Sequence, residues 1–382
     1  MKYYIKDQFQ VMTHLELDES YKPISELSHK VVYYLYEDDD IEAMGVHRVE
    51  DKTFFQSHRE TLKGKLCDDV EREVIAVNLK KMPLSLNKKK KPYKVHVLGL
   101  GDVGGMMLSA LRLIGGDTLE AIGIFDLDEN KVKRWCYELN QIMTIDRGPY
   151  PPVYGVSMDD LFDCDAFIFT ASSRIPEVGS GVKDVRMFQL EANTKIISIY
   201  AKMAKERSFE GQFIVVSDPV DLLCRAVLSH GLRPEQIKGF GLGVMHARAC
   251  YYSEYHDMAY YKEEGRAYGP HGKHLIIADS ITNYNQEKAL LLTDKTVKAN
   301  LDVRAVGYKP FIAPALSSAA MSILAYLEEK PHYSTVYIDG VYFGCKNKVE
   351  NLVYVHTEKN DLPEQLLERL SATYKELKSF EF

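Results

Sequence analysis

The chain has 382 residues, 48 basic and 55 acidic side chains giving a formal charge of −7, and a hydrophobic fraction of 46%. That supports a real core in one large or two to three ordinary domains and excludes disordered, collagen-like and repeat architectures. With no apolar run of about 18 residues, no apolar signal core near the start and no face-length basic stripe, the expectation is a cytoplasmic protein with neither membrane nor nucleic-acid partners.

Residues 1–91 are of mixed character. Val31–Tyr36 (VVYYLY) is a strong strand signal, ended by the acidic run 37–40. The charge alternation over 57–73 predicts a helix, and 74–77 a second strand. No catalytic motif is present, so this segment is expected to be a small α+β extension for packing, assembly or partner recognition. It ends at 87–92, NKKKKP, where mutually repelling lysines and a helix-blocking proline predict an exposed linker. A basic targeting element is the alternative for that run.

From residue 93 the pattern becomes strand, glycine turn, helix, strand. An apolar run at 95–98 leads into Gly99-Leu100-Gly101-Asp102-Val103-Gly104, helical periodicity follows to about Leu113, and 121–125 is a second apolar strand ending in Asp126. Such alternation predicts a doubly wound parallel sheet. A lone GxGxxG is a weak signal, but here the acid lies 22 residues past Gly104, at the end of the next strand. Gly99 would allow the tight turn, Gly101 the approach of a pyrophosphate and Gly104 close helix–strand packing, with the helix N-terminus facing the phosphates. Asp126 would accept hydrogen bonds from the adenosine ribose and repel a 2′-phosphate, favouring NAD over NADP. The plainer alternative is a structural turn beside an ordinary strand-end aspartate. Asp102 suits the helix dipole but crowds the phosphates.

Over roughly residues 93–360 the chain resembles the lactate/malate dehydrogenase superfamily. The ordered motifs are GLGDVG, IGIFD, DAFIFTAS, a loop ending in Arg186 that leads to LEAN, VVSDPVDLL, GFGLGVMHAR and GPHGK. The resemblance implies an α/β chain in which a Rossmann doubly wound parallel sheet precedes an α+β catalytic domain. The expected division is a 1–91 extension, a 92–243 NAD-binding domain and a 244–382 substrate domain. It further implies NAD as cofactor, with Thr170 among its contacts, a homo-oligomer, and hydride transfer between nicotinamide and a small 2-hydroxy or 2-oxo acid. His271 would be the proton donor and acceptor, Arg248 would grip the substrate carboxylate, and Arg186 would close over the substrate and polarise its carbonyl. Each has a plainer alternative: a solvated loop histidine, an arginine snorkelling from a helix face, and a surface arginine beside Lys183 and Asp184.

Two departures from the family pattern stand out. The aspartate that usually orients the histidine, three residues before the substrate-binding arginine, is Met245 here, and a thioether cannot replace it. The asparagine of the family's proline-valine run is Asp218, so a carboxylate is expected to have moved across the site. If ionised it would pair with His271 and raise its pKa; if protonated it would donate to the substrate oxygen. A carboxylate there also favours a cationic carbon–nitrogen double bond, which makes an imine reductase an alternative. Arg174 is a candidate for a second carboxylate contact, against a plain loop-surface arginine. Two other classes compete. One is a non-catalytic NAD-binding regulator; the other is an NAD- and metal-dependent glycosidase-like enzyme, for which Met245-His246 lacks the expected cysteine. No metal is expected. The six cysteines, Cys67, Cys136, Cys164, Cys224, Cys250 and Cys345, form no CxxC pair and are expected to be reduced.

Overall fold

The computed structural model describes residues 1–48, 73–81, 91–146, 148–173, 185–352, 354–358 and 362–380. They form two compact units: Met1–Lys88 with Arg233–Glu235 and Val353–Val355, and the remainder of the chain.

The first unit is a mixed six-stranded sheet of β1 (Lys2–Lys6), β2 (Phe9–Thr13), β3 (Lys22–Pro23), β4 (Val31–Tyr36), β5 (Val46–Arg48) and β6 (Glu73–Asn78), in the order β3-β1-β2-β4-β6-β5. Both faces are covered. Val32, Tyr34 and Tyr36 pack with Met12, Val74 and Ala76 on one side, and Leu35 packs with Val11, Ile75 and Val77 on the other. Strand β4 is therefore apolar at successive positions rather than alternating, which is why VVYYLY is legible as a strand. The helix expected over 57–73 falls outside the described residues, apart from Glu73, which opens β6. Most of the expected 87–92 linker does too.

A buried carboxylate fastens this unit. Glu235 accepts from the backbone N–H of Gly45 at 3.0 Å and of Val46 at 3.2 Å, and from Arg233 Nε at 3.1 Å. Burial pushes its carboxyl up, against the pull of Arg233 and those N–H groups. Glu235→Ala would remove the partner of Arg233 Nε and of two buried amides. Chemical denaturation should show a loss of about 3 kcal/mol or more, and a change near zero would mean that water replaces the carboxylate.

The second unit holds a parallel six-stranded sheet of β7 (Tyr93–Leu98), β8 (Leu119–Phe125), β9 (Val153–Gly155), β10 (Ala166–Phe169), β11 (Gln212–Val215) and β12 (Ile237–Gly239), in the order β12-β11-β10-β7-β8-β9. Every pairing is parallel. Counted within the domain this is 3-2-1-4-5-6, so the order of strand addition reverses between β7 and β10, and the carboxyl ends of those two strands border the crevice where such sheets bind ligands. All residues of β10 and β11 are buried, as central parallel strands require. Helices α1 (Asp102–Ile114), α2 (Glu129–Asn140), α3 (Val185–Glu206) and α4 (Val220–Leu228) connect them. The chain continues into α5 (Leu242–Glu254), a ribbon of β13 (Arg266–Tyr268) and β14 (Ile276–Ala278), α6 (Gln286–Ala305) and a π-helical segment Pro314–Ala320. It ends with α7 (Met321–Leu327), a sheet of β15 (His332–Ile338), β16 (Val341–Glu350) and β17 (Tyr354–Thr357), and α8 (Glu364–Lys378). The doubly wound sheet followed by an α+β portion is the architecture expected from the sequence. Among the described residues no helix is long and apolar enough to cross a membrane.

Candidate active site

The glycine turn sits at the carboxyl end of β7. Gly99 adopts φ +98°, open to glycine, and its N–H donates to the Phe125 carbonyl at 2.9 Å. A Cβ on Gly104 would lie 1.9 Å from the Gly99 oxygen, so α1 approaches the turn as closely as its backbone permits. At Gly101 an added Cβ would meet nothing within 4 Å; this is the open side of the turn. Asp126 accepts from Leu100 N at 2.8 Å, tying the end of β8 to the turn. Open backbone, helix N-terminus and strand-end carboxylate thus suit a dinucleotide. The Thr170 hydroxyl lies 3.0 Å from the Leu98 carbonyl and 2.5 Å from that of Gly99, so it braces the turn from β10. Asp102, in the first turn of α1, pairs with Lys309 Nζ at 3.1 Å, and that cation offsets the charge that crowds the phosphates.

His271 lies on the β13–β14 loop. Gly269 and Gly272, on either side of Pro270-His271, both adopt positive φ, and Gly269 N donates to Gly344 O at 2.8 Å. Glycines flank the histidine because the loop turns through left-handed backbone twice. The start of α5 packs on the ring: a Cβ on Gly241 would stand 3.0 Å from the His271 Cβ. Ser318, from the π-helical segment, caps that start, accepting from Val244 N at 2.8 Å and donating to the Gly241 carbonyl at 2.6 Å.

His271 Nδ1 lies 2.8 Å from Asp218 Oδ1. Its Nε2 is buried and meets no hydrogen-bond partner. Burial opposes protonation of this ring and the Arg248 charge adds to that, but the charge of Asp218, the bond to it and the more distant Asp221 prevail, so the His271 pKa is raised. Arg248, on α5, is half-buried, with Nη1 3.5 Å from Met245 Sδ and Nη2 donating to Asn300 Oδ1 of α6. Burial lowers its pKa while Tyr252 and Asp218 pull the other way. Met245 itself is fully buried. The structure therefore gathers His271, Asp218 and Arg248 in one field of charge. Arg186 falls in the first turn of α3, with only its backbone described, and Arg174 lies outside the described residues.

Of three further contributors, Asn193 and His246 lie inside the LEAN and GFGLGVMHAR motifs and Asn300 lies in none. Asn193 Nδ2 donates to the Asp218 carbonyl at 2.7 Å, and its Oδ1 accepts from Ser173 N at 2.7 Å. Asn300 holds Arg248 from 52 residues away. His246 contacts Tyr261 OH at 3.1 Å and Cys250 Sγ at 3.6 Å; burial brings its pKa down to about 4, which marks a neutral packing histidine. Among the described residues no group of three or more His, Cys, Asp or Glu is placed to hold a metal, and five cysteines, Cys136, Cys164, Cys224, Cys250 and Cys345, are free thiols.

Residues 93–239 match the family profile of the lactate/malate dehydrogenase NAD-binding domain. Over that stretch the chain is similar to the NAD-binding domain of lactate/malate dehydrogenases. L-lactate dehydrogenase 2 of Staphylococcus aureus is 29% identical over 159 residues, 41% of this chain and 47% of that enzyme, so the match spans about half the length of such relatives. Solved structures extend the likeness in fold. A lactate dehydrogenase from a Medee basin deep-sea metagenome library superposes with TM-score 0.64 at 21% identity, covering 76% of this chain and 98% of that one. Malate dehydrogenase from Plasmodium falciparum gives 0.61 at 19%, covering 75% and 96%. The matched profile is that of an NAD-binding domain, and the glycine turn and Asp126 both lie within it.

A raised histidine pKa contributes stability that is complete below the unfolded value of about 6.5 and disappears as pH rises through the folded value. In Asp218→Asn the ring should titrate lower, and that slope of stability against pH should flatten. Ring-proton NMR across a pH series measures it; an unmoved midpoint would show that the Asp218 bond has no hold on His271.

Proposed function

We infer that the chain is an NAD-dependent oxidoreductase acting on a small 2-hydroxy or 2-oxo acid. The observation that carries this reading is the His271 ring held through Nδ1 by a carboxylate, with Nε2 buried and unpartnered beside Arg248. When bound, NAD supplies or takes the hydride. Nε2 of His271 gives its proton to the substrate oxygen as the oxo group is reduced and recovers it in the reverse direction, while Asp218 fixes the tautomer and stabilises the imidazolium. Arg248, steadied by Asn300, takes the substrate carboxylate through its planar fork. Arg186 is proposed to close over the substrate from the start of α3.

Asp218 performs the duty that Met245 cannot, so the reading as a non-catalytic NAD-binding regulator loses its main support. Its carboxylate, exposed beside the ring, also favours a cationic carbon–nitrogen double bond, which keeps an imine reductase as the second reading. The fold division is proposed as a 1–91 extension for assembly or partner recognition, an NAD-binding domain over 92–243 and a substrate domain over 244–382. A homo-oligomer is proposed as well. Leu290, Val297 and Leu301 stand exposed along one face of α6, and the exposed Tyr251 and Tyr255 pack together on α5.

NADH oxidation measured with a panel of 2-oxo acids and cyclic imines tests the assignment. Turnover of the acids supports it, turnover of imines alone selects the second reading, and inertness with NADH bound revives the regulator. Arg248→Lys keeps the charge but loses the fork, and should cost about 2–4 kcal/mol in kcat/KM. Cofactor affinity should stay within about twofold, and unchanged kcat/KM would place Arg248 outside the site. Asp218→Asn should lower turnover at least about tenfold. Adding Met245→Asp, which returns a carboxylate to α5, should recover activity on 2-oxo acids; no recovery would mean that the α5 position cannot reach His271.

A further inference from the structure

The carboxylate that reads the ribose is already fully engaged within the protein. Asp126 Oδ2 accepts from Leu100 N at 2.8 Å and Oδ1 from Asp128 N at 3.1 Å, while Lys131 Nζ lies 3.1 Å from both oxygens. An ionised carboxylate has roughly four lone-pair sites, and these contacts occupy them all. The lysine is fixed there by its own helix: Asp128 caps α2, its side chain accepting from the N–H groups of Asn130 and Lys131, so the first turn stands over the end of β8.

Two of the donors on Asp126 are backbone amides that hold the glycine turn and the α2 cap. The third is the end of a flexible side chain, 36% exposed against 13% for the aspartate. A ribose diol that is to bind Asp126 can displace only that third donor. Once displaced, the ammonium remains tethered beside the 2′ position, where a 2′-phosphate would present its charge.

We propose that Lys131 sets the cofactor selectivity of this chain: it competes with the NAD ribose for Asp126 and offers a 2′-phosphate a cation, narrowing the preference for NAD that Asp126 alone would impose. The proposal rests on the NAD-binding reading of the glycine turn and goes beyond it, because it assigns selectivity to a residue outside the glycines and the strand-end acid. The wild-type chain is accordingly expected to favour NADH over NADPH only modestly.

Fluorescence titration of the whole chain with NADH and with NADPH tests this without reference to turnover. The single tryptophan, Trp135, is a built-in reporter: it lies on α2 one turn beyond Lys131 and packs where a Cβ on Gly105 of α1 would fall. Lys131→Ala should raise the ratio of the NADPH to the NADH dissociation constant about tenfold, the loss of one charge-assisted contact. Lys131→Glu should raise it further and Lys131→Arg should leave it within about threefold. The Lys131→Ala effect should shrink in high salt, as a charge contact does and a packing role does not. Equal weakening of both cofactors would mean that Lys131 merely supports Asp126, and an unchanged ratio would remove it from the ribose site; either overturns the proposal. Binding of both cofactors with an unaltered ratio leaves the cofactor reading intact, whereas failure of the wild-type chain to bind either dinucleotide defeats that reading and the proposal with it.

Discussion

The Asp218 carboxylate is placed by its backbone, and the chemistry of the site depends on that placement. The Asp218 carbonyl accepts from Asn193, whose other amide atom accepts from Ser173 N–H, and the Ser217 hydroxyl donates to the Ala171 carbonyl at 2.7 Å. The segments that follow β10 and β11, neighbours in the sheet, are thereby joined to each other and to α3. Asn193 is buried, and only a side chain with both a donor and an acceptor satisfies its two partners. An apolar residue there would leave a carbonyl and an amide unpaired in a dry place, a cost of about 1–3 kcal/mol each, and would free the segment that presents Asp218.

On the proposed function, this arrangement would keep the histidine oriented without the aspartate that the resemblance leads one to expect at Met245. In the expected pattern the carboxylate rides on the same helix as the substrate-binding arginine. Here α5 carries buried Met245 at that position, with its sulfur against the Arg248 guanidinium, and the carboxylate comes from the end of β11 instead. Exchanging the two leaves the sign of the field at Nδ1 unchanged. It alters what lies on the substrate side, because the arginine no longer has a helical carboxylate one turn away and is steadied by the neutral Asn300.

Much of this was legible in the sequence where local chemistry and tertiary demand coincide. Gly99, Gly104 and the glycines around His271 are dictated by backbone conformation and close approach, so their pattern is visible without coordinates. Strands β4 and β7 are read correctly because both faces of each are buried. The hairpin of β1 and β2 escapes such reading: its turn uses Asp7-Gln8, with Asp7 at φ 53°, where the recognisable signal would be Asn-Gly or Asp-Gly. Asn300 and Ser318 act across 52 and 74 residues of chain, and no spacing rule connects them with α5. Lys131 was hidden for another reason. A lysine in the first turn of a charged helix looks like any solvated side chain until the capped turn sets it over Asp126.

The charges gathered at the site also constrain its substrate. On the proposed function, the trio of protonated His271, Asp218 and Arg248 carries one net positive charge, which would match a single carboxylate. Delivery of the proton to the substrate oxygen would leave Asp218 beside a neutral ring, and the trio would then carry no net charge. A second carboxylate near the reacting carbon would be repelled by Asp218 and would need a cation from outside the trio, a role open to Arg186. Relocation of one carboxylate from helix to sheet therefore does more than orient a ring. On the proposed function it would bias the site toward substrates with one negative charge, or with a cationic centre in place of the ketone.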